Sequence, residues 1–260
     1  MTGHAAPRVI LITGASGGLG AALAREYAAP GCTLILFARD EERLAQVAAD
    51  GRKAGAETVT HALDVTDTPA FITQLQAIAA ERPIDLAIVN AGVTRVIAAR
   101  GGAESWPDIA AVLDVNLRAA LATVTAMLPA MRRRKAGQIA LISSLSAYFG
   151  LPVTPTYSAT KAALKAYGEA LRGPLAAEGV AINVVLPGFV RTPMAEQFPT
   201  VRPFMLSPED AAHRIRAGLA RNQARIAFPF PLSWGSWWLA VLPAAWSVRI
   251  LRLLGYEPRG

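Results

Sequence analysis

The sequence predicts an α/β fold, in which one doubly wound parallel sheet carries helices on both faces. Short apolar runs alternate with helical periods along nearly the whole chain. These runs are continuously apolar, as is typical of strands buried on both faces. Hydrophobic residues make up 53% of the 260 residues and charged residues 17%, which allows a sizeable core. With no polar linker or repeat, we expect one domain over residues 1–228 and a hydrophobic, Trp-rich extension over 229–260.

Each predicted strand ends at a turn or at a polar residue. The first apolar run stops at Thr13-Gly14, the fourth at Asn90-Ala91-Gly92 and the sixth at Pro187-Gly188. The predicted strands are 9–12, 32–38, 57–63, 84–89, 138–143, 180–186 and 224–228. Because ligands bind beyond the carboxyl ends of parallel strands, these ends predict the functional edge of the sheet.

Helical periods fill the intervals between the strands. The first, at 17–29, is rich in Ala and Leu, and the second begins at the acids of 40–42, which suit the positive end of a helix. The later helices are predicted at 69–80, 105–131, 156–178 and 208–221. The basic cluster 132–135 is interpreted as a helix C-terminus. It has no interleaved aromatic residues, so no nucleic-acid partner is expected.

The turn after the first strand is rich in glycine. Gly14 permits a tight turn, and Gly18 and Gly20 remove side chains where a pyrophosphate and the sheet approach each other. Ser16 and Leu19 complete the segment. The following helix start offers unpaired N–H groups to phosphates. Placed directly after the first strand, this turn predicts a dinucleotide site of the Rossmann type.

The end of the second strand predicts which dinucleotide binds. The strand-end position is Ala38, followed by Arg39, whose guanidinium can bind a 2′-phosphate through two parallel hydrogen bonds. We therefore expect NADP(H), with Ser16 assisting. NAD(H) is the alternative, in which Arg39 pairs with an exposed acid and Asp40 binds the ribose.

Four residues predict acid–base chemistry. Tyr157 and Lys161 are four positions apart in a helical stretch, so they share a face, and the ammonium is expected to make the phenol more acidic. Ser144 ends the fifth strand and can hydrogen-bond a substrate oxygen. Asn116 lies within a predicted helix, where it is either an ordinary surface amide or the anchor of a water that connects Lys161 to solvent.

Taken together, these motifs make the chain similar to the classical short-chain dehydrogenase/reductase family over about residues 8–228. The resemblance implies a catalytic tetrad of Asn116, Ser144, Tyr157 and Lys161, with Lys161 also holding the nicotinamide ribose. It implies further cofactor contacts at Asp64, Val65, Asn90, Ala91, Gly92, Pro187, Gly188, Val190 and Thr192. The implied reaction is hydride transfer between NADP(H) and a carbonyl or alcohol carbon, with Tyr157 as general acid or base. The resemblance also implies a homo-oligomer.

Three alternatives to this function stay open. They are an NAD-dependent alcohol dehydrogenase, a nucleotide-sensing protein that has lost turnover, and a membrane-associated scaffold that acts through its C-terminal extension. The single cysteine (Cys32), the lack of an apolar N-terminal signal and the scattered histidines favour a cytoplasmic protein without disulfide or metal site.

The substrate side is predicted less sharply. A lid over about residues 193–207 carries Met194, Phe198, Phe204, Met205 and Leu206, which favours an apolar substrate. Arg191 and Arg202 favour an acidic one instead. Residues 228–248 carry no charge, but prolines interrupt them. A membrane span, a peripheral anchor, and burial against the lid or a partner subunit are the three interpretations.

Overall fold

The computed structural model describes residues 6–97, 102–198 and 200–256. Predictions that fall on residues 1–5, 199 and 257–260, including His4, lie outside this range. Strands β1 to β7 are Val9–Thr13, Thr33–Ala38, Glu57–Ala62, Leu86–Val89, Gly137–Ile142, Val180–Pro187 and Arg225–Phe228. Helices α1 to α10 are Gly18–Tyr27, Glu41–Lys53, Thr68–Glu81, Trp106–Leu113, Ala119–Arg134, Pro155–Ala177, Pro193–Glu196, Pro208–Ala220, Phe230–Val241 and Ala244–Leu253.

The strands form one parallel sheet in the order β3-β2-β1-β4-β5-β6-β7. In its register, Ile12 of β1 lies between Leu36 of β2 and Ile88 of β4. From β1, the strands β2 and β3 are added toward one edge of the sheet, whereas β4 to β7 are added toward the other edge. The order of strand addition therefore reverses between β1 and β4. A crevice opens at such a switch point, beyond the carboxyl ends of the two strands.

Alternate residues of each strand face opposite layers of helices. On one face, Ile10 and Ile12 join a buried cluster that includes side chains of α1, α2 and α8. On the other face, Leu11 joins a cluster built from α3, α5 and α6. Each fully buried aliphatic side chain contributes about 1.5–3 kcal/mol. The sheet covered on both faces is thus the predicted α/β, Rossmann-type fold.

One predicted helix differs from the structure. The stretch predicted as a single helix at 105–131 consists of α4 and α5 joined by a π-helical turn over Asp114–Arg118. Asn116 lies in that turn with its side chain fully buried. π-helical turns occur frequently at functional sites, where they redirect a side chain.

The continuous helical run Trp106–Arg134 contains an 18-residue window with a mean hydropathy of 1.5, which is enough to cross a bilayer by length and composition. Half of that apolar window is buried in the fold, which is expected of a core helix. The run ends at the predicted basic cluster, where Lys135 caps α5 in the left-handed conformation. The cluster is therefore the predicted helix C-terminus.

The extension folds as two helices, α9 and α10, which were not predicted from the sequence. The Ser247 hydroxyl donates to the Leu239 carbonyl at 2.7 Å and ties the two helices together. Leu251 and Tyr256 are buried, whereas α9 has no buried residue. With 12 and 10 residues, neither helix is long enough to span a bilayer.

Candidate active site

The carboxyl ends of β1 and β4 are joined by side-chain hydrogen bonds. The Thr13 hydroxyl accepts from the backbone N–H groups of Asn90 and Ala91, both at 3.0 Å. The Asn90 amide donates to the carbonyls of Thr13 and Gly14, both at 3.1 Å. These bonds fix the glycine-rich turn against the Asn-Ala-Gly segment. The role of Thr13 was missed, because a threonine at a strand end has no distinctive spacing.

The glycine-rich turn has the shape of a phosphate cradle. Gly14 and Gly18 have positive φ angles of 68° and 52°, which few other residues adopt. A Cβ at Gly18 would lie 3.0 Å from Thr192 Cγ2, and one at Gly20 would overlap the Gly14 carbonyl oxygen. Among the described residues, no side chain caps the N-terminus of α1. Its first amide groups and helix dipole are therefore suited to an anion such as a pyrophosphate.

A basic rim borders this cradle at the end of β2. Arg39 and Arg43 both line the cavity, and Arg39 lies 3.9 Å from the exposed Asp64 carboxylate. Asp40 caps α2 by accepting from the Arg43 backbone N–H at 3.0 Å, and its carboxylate also pairs with the Arg43 side chain at 3.2 Å. Arg43 was not predicted from the sequence, although its position one helical turn beyond Arg39 would have indicated it.

Helix α6 brings Tyr157 and Lys161 beside the end of β5. Lys161 is buried, and its ammonium donates to the Ile142 carbonyl at 2.9 Å. The same ammonium lies 5.6 Å from the centroid of the Tyr157 ring. The Ser144 side chain, which follows β5, lies close enough to the Tyr157 hydroxyl to affect its pKa. The structure thus assembles three of the four predicted tetrad members around one point of the sheet edge.

Burial controls the protonation of this pair. Loss of solvent raises the pKa of Tyr157 above its usual value, and the neighbouring Ser144 hydroxyl opposes that rise. Burial also lowers the pKa of Lys161 to about 8. In the protein by itself, the desolvation of the phenol therefore outweighs the effect of Ser144, and the acidifying effect of Lys161 stays a prediction.

Asn116 lies behind the cavity and does not line it. Its amide oxygen accepts from the Val93 N–H at 2.7 Å, and its amide nitrogen donates to the Val93 carbonyl at 2.9 Å. A Cβ added to Gly92 would lie 3.4 Å from the Asn116 oxygen and 3.5 Å from the Lys161 ammonium. Gly92 therefore leaves a small space between these two groups, where the predicted bridging water would have to lie.

A glutamate outside the predicted site holds the start of α6. Thr154, the residue before the helix, makes no side-chain capping bond. Instead, Glu104 accepts from the Thr156 backbone N–H at 3.1 Å and from the Thr156 hydroxyl at 2.6 Å. Because Thr156 precedes Tyr157, this carboxylate positions the part of the helix that carries the phenol.

The predicted residues line one large cavity of about 1220 Å³. The part of the lining that was predicted from the sequence is called the cofactor half. It contains Gly14, Ser16, Gly18, Leu19, Gly20, Arg39, Asp64, Val65, Asn90, Ala91, Gly92, Ser144, Tyr157, Lys161, Pro187, Gly188, Val190 and Thr192. All predicted site residues except Asn116 are therefore in this lining. No group of three or more His, Cys, Asp or Glu side chains in the described part of the chain could hold a metal ion.

The other half of the cavity is apolar. The predicted lid contributes Met194, Phe198 and Phe204, whereas Met205 and Leu206 do not line it. Leu206 packs against the core instead, and its backbone pairs with Phe189 and Arg191 to close the base of the lid. Neither Arg191 nor Arg202 lines the cavity, so the acidic-substrate interpretation has no support in this lining.

The helix pair α9–α10 completes the apolar half. Leu232, Trp238, Leu239 and Leu242 of this region line the cavity, together with Ile250, Leu251, Leu254 and Tyr256. A Cβ at Gly188 would lie 2.9 Å from Leu232, so α9 packs directly on the loop after β6. None of these residues was assigned to the site from the sequence.

Comparison with known proteins identifies the family. The family model for short chain dehydrogenase matches residues 8–202. The chain belongs to this family of oxidoreductases. It is 33% identical to an uncharacterized oxidoreductase of Myxococcus xanthus over 237 residues, covering 91% of this chain and 93% of that protein.

Solved structures of short-chain dehydrogenases share the fold and hold either cofactor. The enzyme of Sphingobium yanoikuyae, in complex with NADPH, superposes with a TM-score of 0.75 at 25% identity, covering 94% of this chain and 93% of that chain. The enzyme of Mycobacterium paratuberculosis, bound to NAD, has a TM-score of 0.73 at 25% identity, covering 85% and 94%.

Proposed function

We propose that the chain is an NADP(H)-dependent oxidoreductase that reduces the carbonyl group of an apolar substrate, or oxidises the corresponding alcohol. The observation that carries the proposal is the single cavity that joins the glycine-rich cradle, the Tyr157 hydroxyl and an apolar lining. The expected cytoplasmic location and homo-oligomeric state belong to the same proposal.

The cofactor half of the cavity fits a dinucleotide that carries a 2′-phosphate. The uncapped start of α1 and the glycine turn suit the pyrophosphate, and Arg39 with Arg43 suits a 2′-phosphate. Asp40, which the NAD(H) alternative needs for the ribose, is already engaged as the cap of α2, although the contact between Arg39 and the exposed Asp64 is the acid pairing that this alternative expects. Asp64 and Val65 line the cavity beside Arg39, and the family resemblance implies that they contact the adenine. When bound, NADPH supplies the hydride.

The chain's own residues supply and position the proton. A phenol whose pKa is raised by burial stays protonated at neutral pH, so Tyr157 can donate to the carbonyl oxygen as negative charge builds there. Ser144 donates a second hydrogen bond to that oxygen. Lys161 holds the nicotinamide ribose and returns a proton to Tyr157, and a water beside Asn116 supplies Lys161. In alcohol oxidation, the same proton path runs in the opposite direction.

Replacement of Tyr157 by Phe tests the chemistry. The ring remains but the proton donor is lost, so kcat for ketone reduction should fall by about 10²–10⁴-fold while the Kd for NADPH changes little. Tyr167→Phe is the matched control, because Tyr167 lies on the same helix, is partly buried against the core and does not line the cavity. Full turnover by the Tyr157→Phe variant would contradict the proposed mechanism. A wild-type chain that binds NADPH but consumes none across a ketone series would favour the nucleotide-sensing alternative.

Replacement of Arg39 by Asp tests the choice of cofactor. The new carboxylate would repel a 2′-phosphate and could bind a ribose, so the ratio of Kd values for NADPH and NADH should reverse in favour of NADH. Fluorescence titration of both cofactors measures that ratio without turnover. If NADPH preference survives in the variant, Arg39 is not the selector. If the wild type prefers NADH, the NAD-dependent alternative is correct.

A further inference from the structure

The helix pair α9–α10 exposes an unusual amount of aromatic surface. Four of the five tryptophans in the chain lie on it, and they are exposed by 58% (Trp234), 41% (Trp237), 41% (Trp238) and 66% (Trp246). Phe230 is exposed by 76%. Scattered exposed apolar residues are ordinary on a protein surface, but contiguous patches of this kind mark binding surfaces.

These side chains form continuous faces on the helices. Phe230, Trp234 and Trp238 are spaced four residues apart on α9, and the rings of Trp234 and Trp238 are in edge contact at 5.8 Å. On α10, exposed Trp246, Arg249 and Leu253 are spaced three and four residues apart, so they also share a face. Each helix thus turns an apolar face away from the fold.

The charge of this surface indicates its partner. Residues 229–256 contain no Asp or Glu, whereas Arg249 and Arg252 lie on α10. A symmetric contact with a second copy would place arginines near arginines, with no acid from this segment between them. Exposed tryptophans beside arginines are instead the combination that favours an anionic membrane surface, where indole rings sit at headgroup level.

The exposed surface is continuous with the mouth of the cavity. Trp238, Leu254 and Phe204 line the cavity, and each is exposed by 41% or more. The apolar lining of the cavity therefore passes into the outer aromatic face without a polar border at these residues. An apolar molecule that leaves a bilayer at this surface would reach the cavity without crossing water.

We propose that the helix pair α9–α10 docks on the surface of an anionic lipid bilayer and turns the mouth of the cavity toward it. The indoles and Phe230 enter the headgroup region, and Arg249, which shares a face with Trp246, meets lipid phosphates. Docking itself does not depend on the proposed function. The passage of a lipid-soluble carbonyl substrate into the cavity does rest on it.

Co-sedimentation with vesicles tests docking. The full chain, loaded with NADPH, is mixed with vesicles of phosphatidylcholine alone or of phosphatidylcholine with phosphatidylglycerol. We expect stronger binding to the anionic vesicles, and a partition coefficient about fivefold lower there for Arg249→Gln. A Phe230→Ser, Trp234→Ser, Trp246→Ser triple variant removes exposed side chains outside the cavity lining and should bind both vesicle types at least about tenfold more weakly. Trp106→Ser is the matched control, since Trp106 is exposed on α4.

The outcomes separate membrane docking from self-association and from misfolding of a variant. The Kd for NADPH and the thermal unfolding midpoint establish that each variant is folded. Equal vesicle partitioning of the wild type and the triple variant, or equal losses in the Trp106→Ser control, would overturn the proposal. So would a wild type that does not bind vesicles but forms dimers that the triple variant lacks. Because none of these measurements uses turnover, they can fail while the proposed function stands, and the reverse also holds.

Discussion

At the scale of single residues, burial favours the uncharged forms of the two residues that are proposed to transfer the proton. Desolvation raises the pKa of Tyr157 and lowers that of Lys161, so both side chains are pushed toward their uncharged forms. A neutral phenol is a proton donor, which suits carbonyl reduction. Alcohol oxidation needs the phenolate, and the described protein groups around Tyr157 disfavour that form overall.

A Lys161→Met variant measures the cost of burying this lysine. Between the lowered pKa of about 8 and the ordinary value of 10.5, the unfolded chain binds more protons than the folded chain. The free energy of unfolding of the wild type, relative to the variant, should therefore rise with pH across that window by on the order of 3 kcal/mol. Below pH 8 the difference should be constant.

Denaturant titrations of both proteins without cofactor, from neutral pH to about pH 10, check this expectation. Parallel stability curves for the wild type and Lys161→Met across the whole range would show that burial does not shift this lysine. The measurement concerns the folded chain alone, so it is independent of any turnover assay.

At the scale of elements, the site depends on a contact between segments far apart in sequence. The start of α6 is held by Glu104, 52 residues before Thr156. A carboxylate at a helix N-terminus satisfies free amide groups and meets the positive end of the helix dipole. Helix α6, which carries Tyr157 and Lys161, was predicted from the sequence, because its period is a local pattern. Glu104 could not be predicted, because it has no fixed distance to the residue that it holds.

Removal of the contact between Glu104 and Thr156 should lower kcat by more than the accompanying loss of stability can explain. Glu104→Ala should lower the free energy of unfolding by about 1 kcal/mol and should reduce kcat, with little change in the Kd for NADPH. Asp67→Ala is the matched control, because Asp67 caps α3, which carries no site residue. It should cost similar stability without loss of kcat, and Glu104→Gln should restore part of the activity. Equal kcat values in Glu104→Ala and Asp67→Ala would show that Glu104 serves only stability.

At the scale of the whole molecule, the two halves of the cavity differ in how far the sequence predicts them. The cofactor half follows from strand ends and a glycine turn, which are local patterns with a fixed place in a parallel sheet. The apolar half depends on how α9 and α10 fold beside β7 and the loop after β6. Residues 229–248 are apolar on all sides, so their sequence contains no clear period that indicates a helix or its buried face. The structure places this segment beside the loop after β6 through Leu232, and Leu239 also lines the cavity.

This division predicts that the extension sets substrate preference while the earlier residues set cofactor affinity. In the wild type, kcat/KM for straight-chain methyl ketones should rise by up to about fourfold per added methylene, since each buried CH₂ contributes about 0.8 kcal/mol. Leu239→Asn places an amide in the apolar lining and should flatten that rise, with the Kd for NADPH unchanged. Ala240→Asn is the control, because Ala240 is exposed on the same helix and does not line the cavity. A Leu239→Asn variant with the same chain-length dependence as Ala240→Asn would exclude α9 from the substrate site.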